Sequence, residues 1–213
     1  MEKIKVIGVG PGGEDYLLPA AQKALEEAEV LVGRTRALAL CRRGQKKELK
    51  IDADLRRVVA FLKENREKKI AVLVSGDPGL YSLLDFLLKH FTPEELEVIP
   101  GLSSVQLAFA RAKMTWQDAV IFSLHGREKP ARAMAERILP AVRGGTKVAL
   151  LTDGSFPPPK IAKYLVQHGV RGKKMVVGEN LSYPEERVVA AGLEEMAASR
   201  EEFKNCVVLI ADG

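Results

Sequence analysis

The chain has 213 residues, 46% of them hydrophobic and 29% charged, with a formal net charge of +5. That is enough apolar material for one large domain or two small ones. No apolar run approaches the roughly 20 residues of a membrane span, and aromatics at 6% without a Lys/Arg tract argue against a nucleic-acid platform.

The first residues lead straight into a strand pattern rather than a signal-peptide layout, so a cytoplasmic protein is expected. Cys41 and Cys206 lie far apart with no His or Cys at ligand spacing, so neither a disulfide framework nor a metal site is expected. The mild positive excess reads either as a solvated surface or as a means of steering an anionic ligand.

In chain order, strands are predicted at residues 3–9, 30–32, 70–74 and 96–99, with helices near 18–28, 54–65, 80–90 and 103–112. Such alternation predicts a parallel, helix-covered sheet. Ligands then bind beyond the carboxyl ends of the strands. After Lys113-Met114-Thr115-Trp116 the rhythm resets. Strands are expected at 119–124, 147–152, 174–178, 187–191 and 207–211, with helices at 131–142 and 159–168. The final strands have little helix between them, so the second sheet should be mixed. A boundary near 113–118 gives two α/β domains, 1–114 and 119–213.

At the end of the first strand, Gly8, Gly10 and Gly13 satisfy G-x-G-x-x-G, the pattern of a dinucleotide site. Three details oppose that reading. Pro11 removes a backbone donor from the loop. Glu14 and Asp15 put negative charge where a pyrophosphate would sit. The helix begins only near Leu18-Pro19, where proline suits the first turn. The second strand also ends in Gly33-Arg34 rather than in the acid that holds a ribose. A nicotinamide oxidoreductase is therefore disfavoured, which leaves a structural glycine turn or a different ligand.

Other strand ends carry comparable sequences. Ser75-Gly76-Asp77-Pro78-Gly79-Leu80 follows the 70–74 strand, Pro100-Gly101-Leu102-Ser103-Ser104 follows the 96–99 strand, and Thr152-Asp153-Gly154 closes a strand of the second half. Each is an ordinary turn or helix cap by itself. Their recurrence at successive strand ends is not ordinary.

Together these segments resemble the tetrapyrrole (corrin/porphyrin) methylase family. Its G-x-G-P-G, G-D-P and P-G-x-S/T-S/A hallmarks correspond in order to residues 8–12, 76–78 and 100–104. A C-terminal E-N…P-x-x-R segment has its counterpart in Glu179-Asn180-Leu181 with Pro184 and Arg187, so the resemblance covers nearly the whole chain. Ser75 stands where many members have a second glycine. The stretches Trp116-Gln117-Asp118-Ala119 and Ser123-Leu124-His125-Gly126-Arg127 are most similar to the branch that methylates C5 of a corrin precursor, cobalt-containing or metal-free, in cobalamin biosynthesis.

The resemblance implies the tetrapyrrole methylase fold, with a cofactor cleft between a mostly parallel N-terminal sheet and a mixed C-terminal one. It implies S-adenosylmethionine as methyl donor, lined by Gly10, Pro11, Ser75, Gly76, Asp77, Leu80, Ser103, Ser104, Asp153 and Leu181. A polycarboxylate tetrapyrrole substrate suits the excess of Lys and Arg. Arg127 and Lys129 are the first candidates for a carboxylate clamp, followed by Arg34 and Arg36. His125 reads either as a hydrogen-bonded structural histidine or as a substrate contact able to accept a proton. A homodimer is expected, with C15 methylation and decarboxylation carried out by a separate protein. The alternatives are a methylase of the same fold acting on uroporphyrinogen, a diphthamide precursor or ribosomal RNA, or a non-catalytic adenine-ligand sensor.

Overall fold

A computed structural model of the chain describes residues 2–41, 46–124, 130–152 and 154–213. By its internal contacts the chain divides into two units, Met1–Ser103 and Ser104–Gly213.

The first unit runs β1 (Ile4–Gly8), a 3-10 turn (Glu14–Tyr16), α1 (Pro19–Glu27), β2 (Val30–Gly33), α2 (Thr35–Cys41), β3 (Lys47–Lys50), α3 (Leu55–Glu64), β4 (Ile70–Val74), α4 (Leu84–Leu87), a 3-10 turn (Pro93–Glu95) and β5 (Leu96–Ile99). The strands form one parallel sheet in the order β3-β2-β4-β1-β5. Strand side chains alternate between its two faces. Ile4, Val6, Val30, Val32, Ile70 and Val72 pack with Val58, Val59 and Leu62 of α3. Ile7, Leu31, Ala71 and Leu73 pack on the other face with Ala21, Ala24 and Leu25 of α1 and Leu38 of α2. Because both faces are covered there, the strands β2 and β4 read as unbroken apolar runs.

Local signals set the helix ends. Pro19 occupies the first turn of α1, where its missing N–H costs nothing. Asp54 caps α3 by accepting from the Arg56 N–H at 3.1 Å. The helix expected over 80–90 shortens to α4. Tyr81 takes φ +49°, which a right-handed helix cannot pass, and after Leu87 the Lys89 and His90 N–H groups tighten to i−3 hydrogen bonds before Thr92-Pro93.

The second unit contains α5 (Ser104–Ala112), β6 (Ala119–Ser123), α6 (Pro130–Ala133), a π-helical turn (Met134–Ile138), α7 (Leu139–Arg143), β7 (Lys147–Leu151), α8 (Pro158–Gln167), β8 (Lys173–Glu179), β9 (Arg187–Gly192), α9 (Leu193–Ala198) and β10 (Cys206–Asp212). Its sheet has the order β6-β7-β10-β8-β9, with β6–β7 parallel and the other pairs antiparallel. One face packs on α8 and α9 through Ile161, Leu165, Leu193 and Met196. Helix α5 packs against β7, β8 and β10. The contact division therefore falls at Ser103/Ser104, ahead of the boundary expected at 113–118.

The helix expected over 131–142 is interrupted at its centre. Pro140 has no N–H to donate to the carbonyl four residues before it, and the Leu139 N–H instead reaches the Met134 oxygen. Among the described residues no helix is long and apolar enough to cross a membrane.

Candidate active site

The position of β1 between β4 and β5 determines where the glycine-rich segments meet. Gly8 is in register with Val74, and Ile7 with Ile99. The loops that follow these strands therefore leave the same edge of the sheet side by side. The Val9 N–H donates to the Val74 oxygen at 2.9 Å, and the Gly76 N–H donates to the Gly10 oxygen at 2.8 Å, so the first two loops continue the pairing of their strands.

Glycine is required here for two different reasons. A Cβ on Gly8 would lie 2.6 Å from the Gly101 nitrogen and 2.6 Å from the Gly76 oxygen, and one on Gly101 would collide with the same backbone. The three loops thus touch main chain to main chain. Gly76, by contrast, has φ +70°, and the nearest atom to its missing Cβ is the Ser103 Cα at 3.8 Å. Its requirement is conformational, since a Cβ would meet its nearest neighbour at ordinary contact distance.

Asp77 joins the second loop to the third. Its Oδ1 accepts from the Gly79 N–H at 2.8 Å, an Asx turn. Its Oδ2 accepts from the Gly101 N–H at 3.2 Å. The Asp-Pro-Gly turn is therefore present, although it caps no helix, since α4 begins only at Leu84, and it engages only one of the two carboxylate oxygens.

The structure brings Gly10, Pro11, Ser75, Gly76, Asp77 and Leu80 onto neighbouring loops of the first unit, with Ser103 at the end of the third loop. Ser75 is exposed, Leu80 half-buried and Ser103 buried. Arg34 and Arg36 are exposed just past β2, one strand further along the sheet beyond β4. His125, Arg127, Lys129 and Asp153 lie outside the described residues. Among the described residues no group of three His, Cys, Asp or Glu side chains could hold a metal ion.

In the second unit, Ser104 opens α5 and Leu181 follows β8. The Leu181 side chain is buried over Gly178, where a Cβ would lie 2.9 Å from its Cδ1. Its main-chain N–H and C=O make no hydrogen bond among the described residues. Glu179 and Arg187, the charged ends of the C-terminal segment, pair with each other. Arg111 and Glu186, which the sequence did not single out, also form an ion pair. The only signal for it in the sequence is an acid next to the P-x-x-R arginine.

These groups fit S-adenosylmethionine on chemical grounds. In the first unit, side-chain-free backbone at Gly76, the Ser75 hydroxyl and the apolar Leu80 offer polar partners and an apolar surface. Glycine-rich loops at the carboxyl ends of adjacent parallel strands are where open α/β sheets bind small molecules, and this chain has the fold of that class.

The tetrapyrrole (corrin/porphyrin) methylase profile matches residues 3–197, and the chain belongs to that family. It is 33% identical over 207 residues to the cobalt-precorrin-7 C(5)-methyltransferase of Salmonella typhimurium strain LT2, covering 97% of this chain and 98% of that one. The methyltransferase CobJ shares its fold with a TM-score of 0.83 at 24% identity, over 100% of this chain and 95% of that one. A uroporphyrin-III C-methyltransferase from Thermus thermophilus, complexed with S-adenosyl homocysteine, matches with a TM-score of 0.73 at 25% identity, over 98% and 97% of the two chains.

Proposed function

We propose that this chain transfers a methyl group from S-adenosylmethionine to C5 of a corrin precursor in cobalamin biosynthesis, either cobalt-precorrin-7 or its metal-free equivalent. The observation that carries this reading is the convergence of the β1, β4 and β5 loops through Gly8, Gly76, Asp77 and Gly101. Likeness to the Salmonella enzyme over nearly the full length of both chains supports the choice of substrate.

When bound, S-adenosylmethionine supplies an activated methyl group: the S–CH3 bond breaks as the C–CH3 bond forms, leaving S-adenosylhomocysteine and a proton. The C5 meso carbon of a reduced corrin precursor is enamine-like and electron-rich. The protein's task is therefore mainly to position, and a near-attack geometry supplies about 7–11 kcal/mol of barrier reduction. The Ser75–Leu80 loop and Ser103 hold the donor, and the backbone contacts of Gly8 with Gly101 keep these loops from shifting. Asp77 spends both oxygens on main-chain N–H groups, so it acts on the donor largely through the loops it joins. The exposed guanidinium groups of Arg34 and Arg36 suit the substrate's carboxylates. His125, Arg127, Lys129 and Asp153 keep the roles that the family resemblance implies. Within this reading the protein works as a cytoplasmic homodimer, and C15 methylation falls to a different active site.

Mass spectrometry of cobalt-precorrin-7 and of its metal-free counterpart, each incubated with the protein and S-adenosylmethionine, tests the reading. A gain of one methyl group at C5 is expected. Binding of S-adenosylmethionine without any S-adenosylhomocysteine formed on either corrinoid would refute it in favour of a sensor.

A further inference from the structure

Helix α5 begins at Ser104 and carries Arg111 in its last turn. The Arg111 Nε donates to Glu186 Oε1, and its Nη2 reaches Oε2 at 3.4 Å. Glu186 ends the turn that follows β8. Its Oε2 also accepts from the Ser182 N–H at 2.7 Å. The Glu186 N–H donates to the Tyr183 oxygen at 2.9 Å, and the Tyr183 N–H to the Asn180 oxygen at 3.0 Å, so residues 180–186 close on themselves.

Inside this turn Leu181 lies between two left-handed residues, Asn180 at φ +46° and Ser182 at φ +73°. Neither is glycine, and such conformations persist only where their surroundings hold them. Leu181 is pinned from below by its side chain against Gly178. Glu186 pins the turn from the other end through Ser182.

We infer that Arg111 and Glu186 are positioning residues for the methyl donor: their ion pair holds the main chain of Leu181 at a fixed distance from the helix that opens at Ser104. The inference rests on the proposed function and on the lining that the family resemblance implies, in which Ser104 and Leu181 contact S-adenosylmethionine. The pair is poorly placed for a purely stabilising role. The Arg111 side chain is 39% exposed and that of Glu186 21%, and exposed ion pairs contribute little to global stability. What this pair does control is local: it selects one conformation of a strained turn and ties that turn to α5.

The test is calorimetric binding of S-adenosylhomocysteine to the full chain and to Arg111→Met, Glu186→Ala, Glu186→Gln and the Arg111→Met/Glu186→Ala double variant. Both Arg111→Met and Glu186→Ala should weaken binding about tenfold, with the double variant no weaker than either, as expected of one coupled unit. Glu186→Gln, which keeps an acceptor for the Ser182 N–H, should lose less. The thermal midpoint, the KM for the tetrapyrrole and kcat at saturating donor should stay at the parent values. Glu27→Gln, which breaks the distant Lys5 pair, should leave binding unchanged. Parent-like affinity in Arg111→Met and Glu186→Ala would overturn the positioning role, as would losses that add and follow a falling thermal midpoint. If the parent chain itself fails to bind S-adenosylhomocysteine, the donor-site reading falls, and this inference falls with it.

Discussion

The carboxylate of Asp77 accepts a hydrogen bond from the main-chain N–H of Gly101, 24 residues further along the chain, at 3.2 Å. The bond crosses from the loop after β4 to the loop after β5, over the end of β1. Its acceptor is charged, and such bonds contribute about 1.5–3 kcal/mol. Asp77→Ala should lower the stability of the protein by about 2 kcal/mol in urea unfolding and weaken S-adenosylmethionine binding about tenfold. Asp77→Asn keeps one acceptor oxygen and should fall between the two. Unaltered donor binding in Asp77→Ala would show that the tie between these loops is irrelevant to the site.

Gly101 and Gly76 separate two kinds of glycine requirement. At Gly101 a methyl group would collide with the backbone of both Gly8 and Gly76, and none of these can move without displacing a strand end. Gly101→Ala should cost about 3 kcal/mol or more. At Gly76 a methyl group would make only an ordinary contact with the Ser103 Cα and the left-handed φ is what is at stake, so Gly76→Ala should cost about 1–2 kcal/mol. Chemical denaturation of the two variants side by side checks the order.

Much of this arrangement was readable in the sequence because both faces of the first sheet are covered. Residues 70–74 and the proline-marked start at Pro19 come out as expected, since unbroken apolar runs and a first-turn proline are direct signals. The strand β3 (KELK) gives no such signal. It lies at the sheet edge, pairs only with β2 and buries Leu49 alone. The short helix α9 was missed for a related reason: it needs only Leu193 and Met196 inside, and six residues are too few to show a period. At the site, the motifs mark loops that the strand order brings side by side. Which loops are neighbours depends on the strand order, and no local pattern encodes that order.

The ion pairs determine how stability responds to pH. Hydrogen bonds from Lys5 and Arg66 hold the carboxyls of Glu27 and Glu95 below the ordinary carboxylate range. Each contribution is complete above the unfolded value of about 4.3 and is lost as pH falls through the lower folded value. On the alkaline side, burial raises the Cys206 thiol and the Glu27 hydrogen bond raises Lys5. Their contributions are complete below the unfolded values, about 8.5 and 10.4, and are lost as pH rises through the folded ones. Urea midpoints should therefore be level from about pH 5 to about pH 8 and fall on both sides. Glu95→Gln should flatten the acid limb and Cys206→Ala the alkaline one. A midpoint that slopes steadily through neutrality would contradict this assignment.

The C-terminal motif yields the last prediction. Glu179 and Arg187 face each other in the β8–β9 register, and the Arg187 Nε donates to Glu179 Oε2 at 2.9 Å. The other oxygen, Oε1, accepts from the Lys204 N–H at 2.6 Å. Arg187 also reaches Glu201 at 2.9 Å and lies over the Phe203 ring, 4.8 Å from its centroid. Glu179 is buried, so Arg187→Met would leave its carboxylate with a single main-chain donor. Breaking a fully buried pair costs about 3–5 kcal/mol; here the arginine is partly exposed, which brings the expected loss to about 1–3 kcal/mol. Arg187→Lys should recover only part of it, since an ammonium cannot serve Glu179 and Glu201 as the guanidinium fork does. Removing both charges in Glu179→Met/Arg187→Met should be less harmful than Arg187→Met alone, because no buried carboxylate is then left uncompensated. Urea midpoints of the three variants decide the matter: a double variant less stable than Arg187→Met would mean that Glu179 stabilises the β8 end through Lys204 rather than through its arginine.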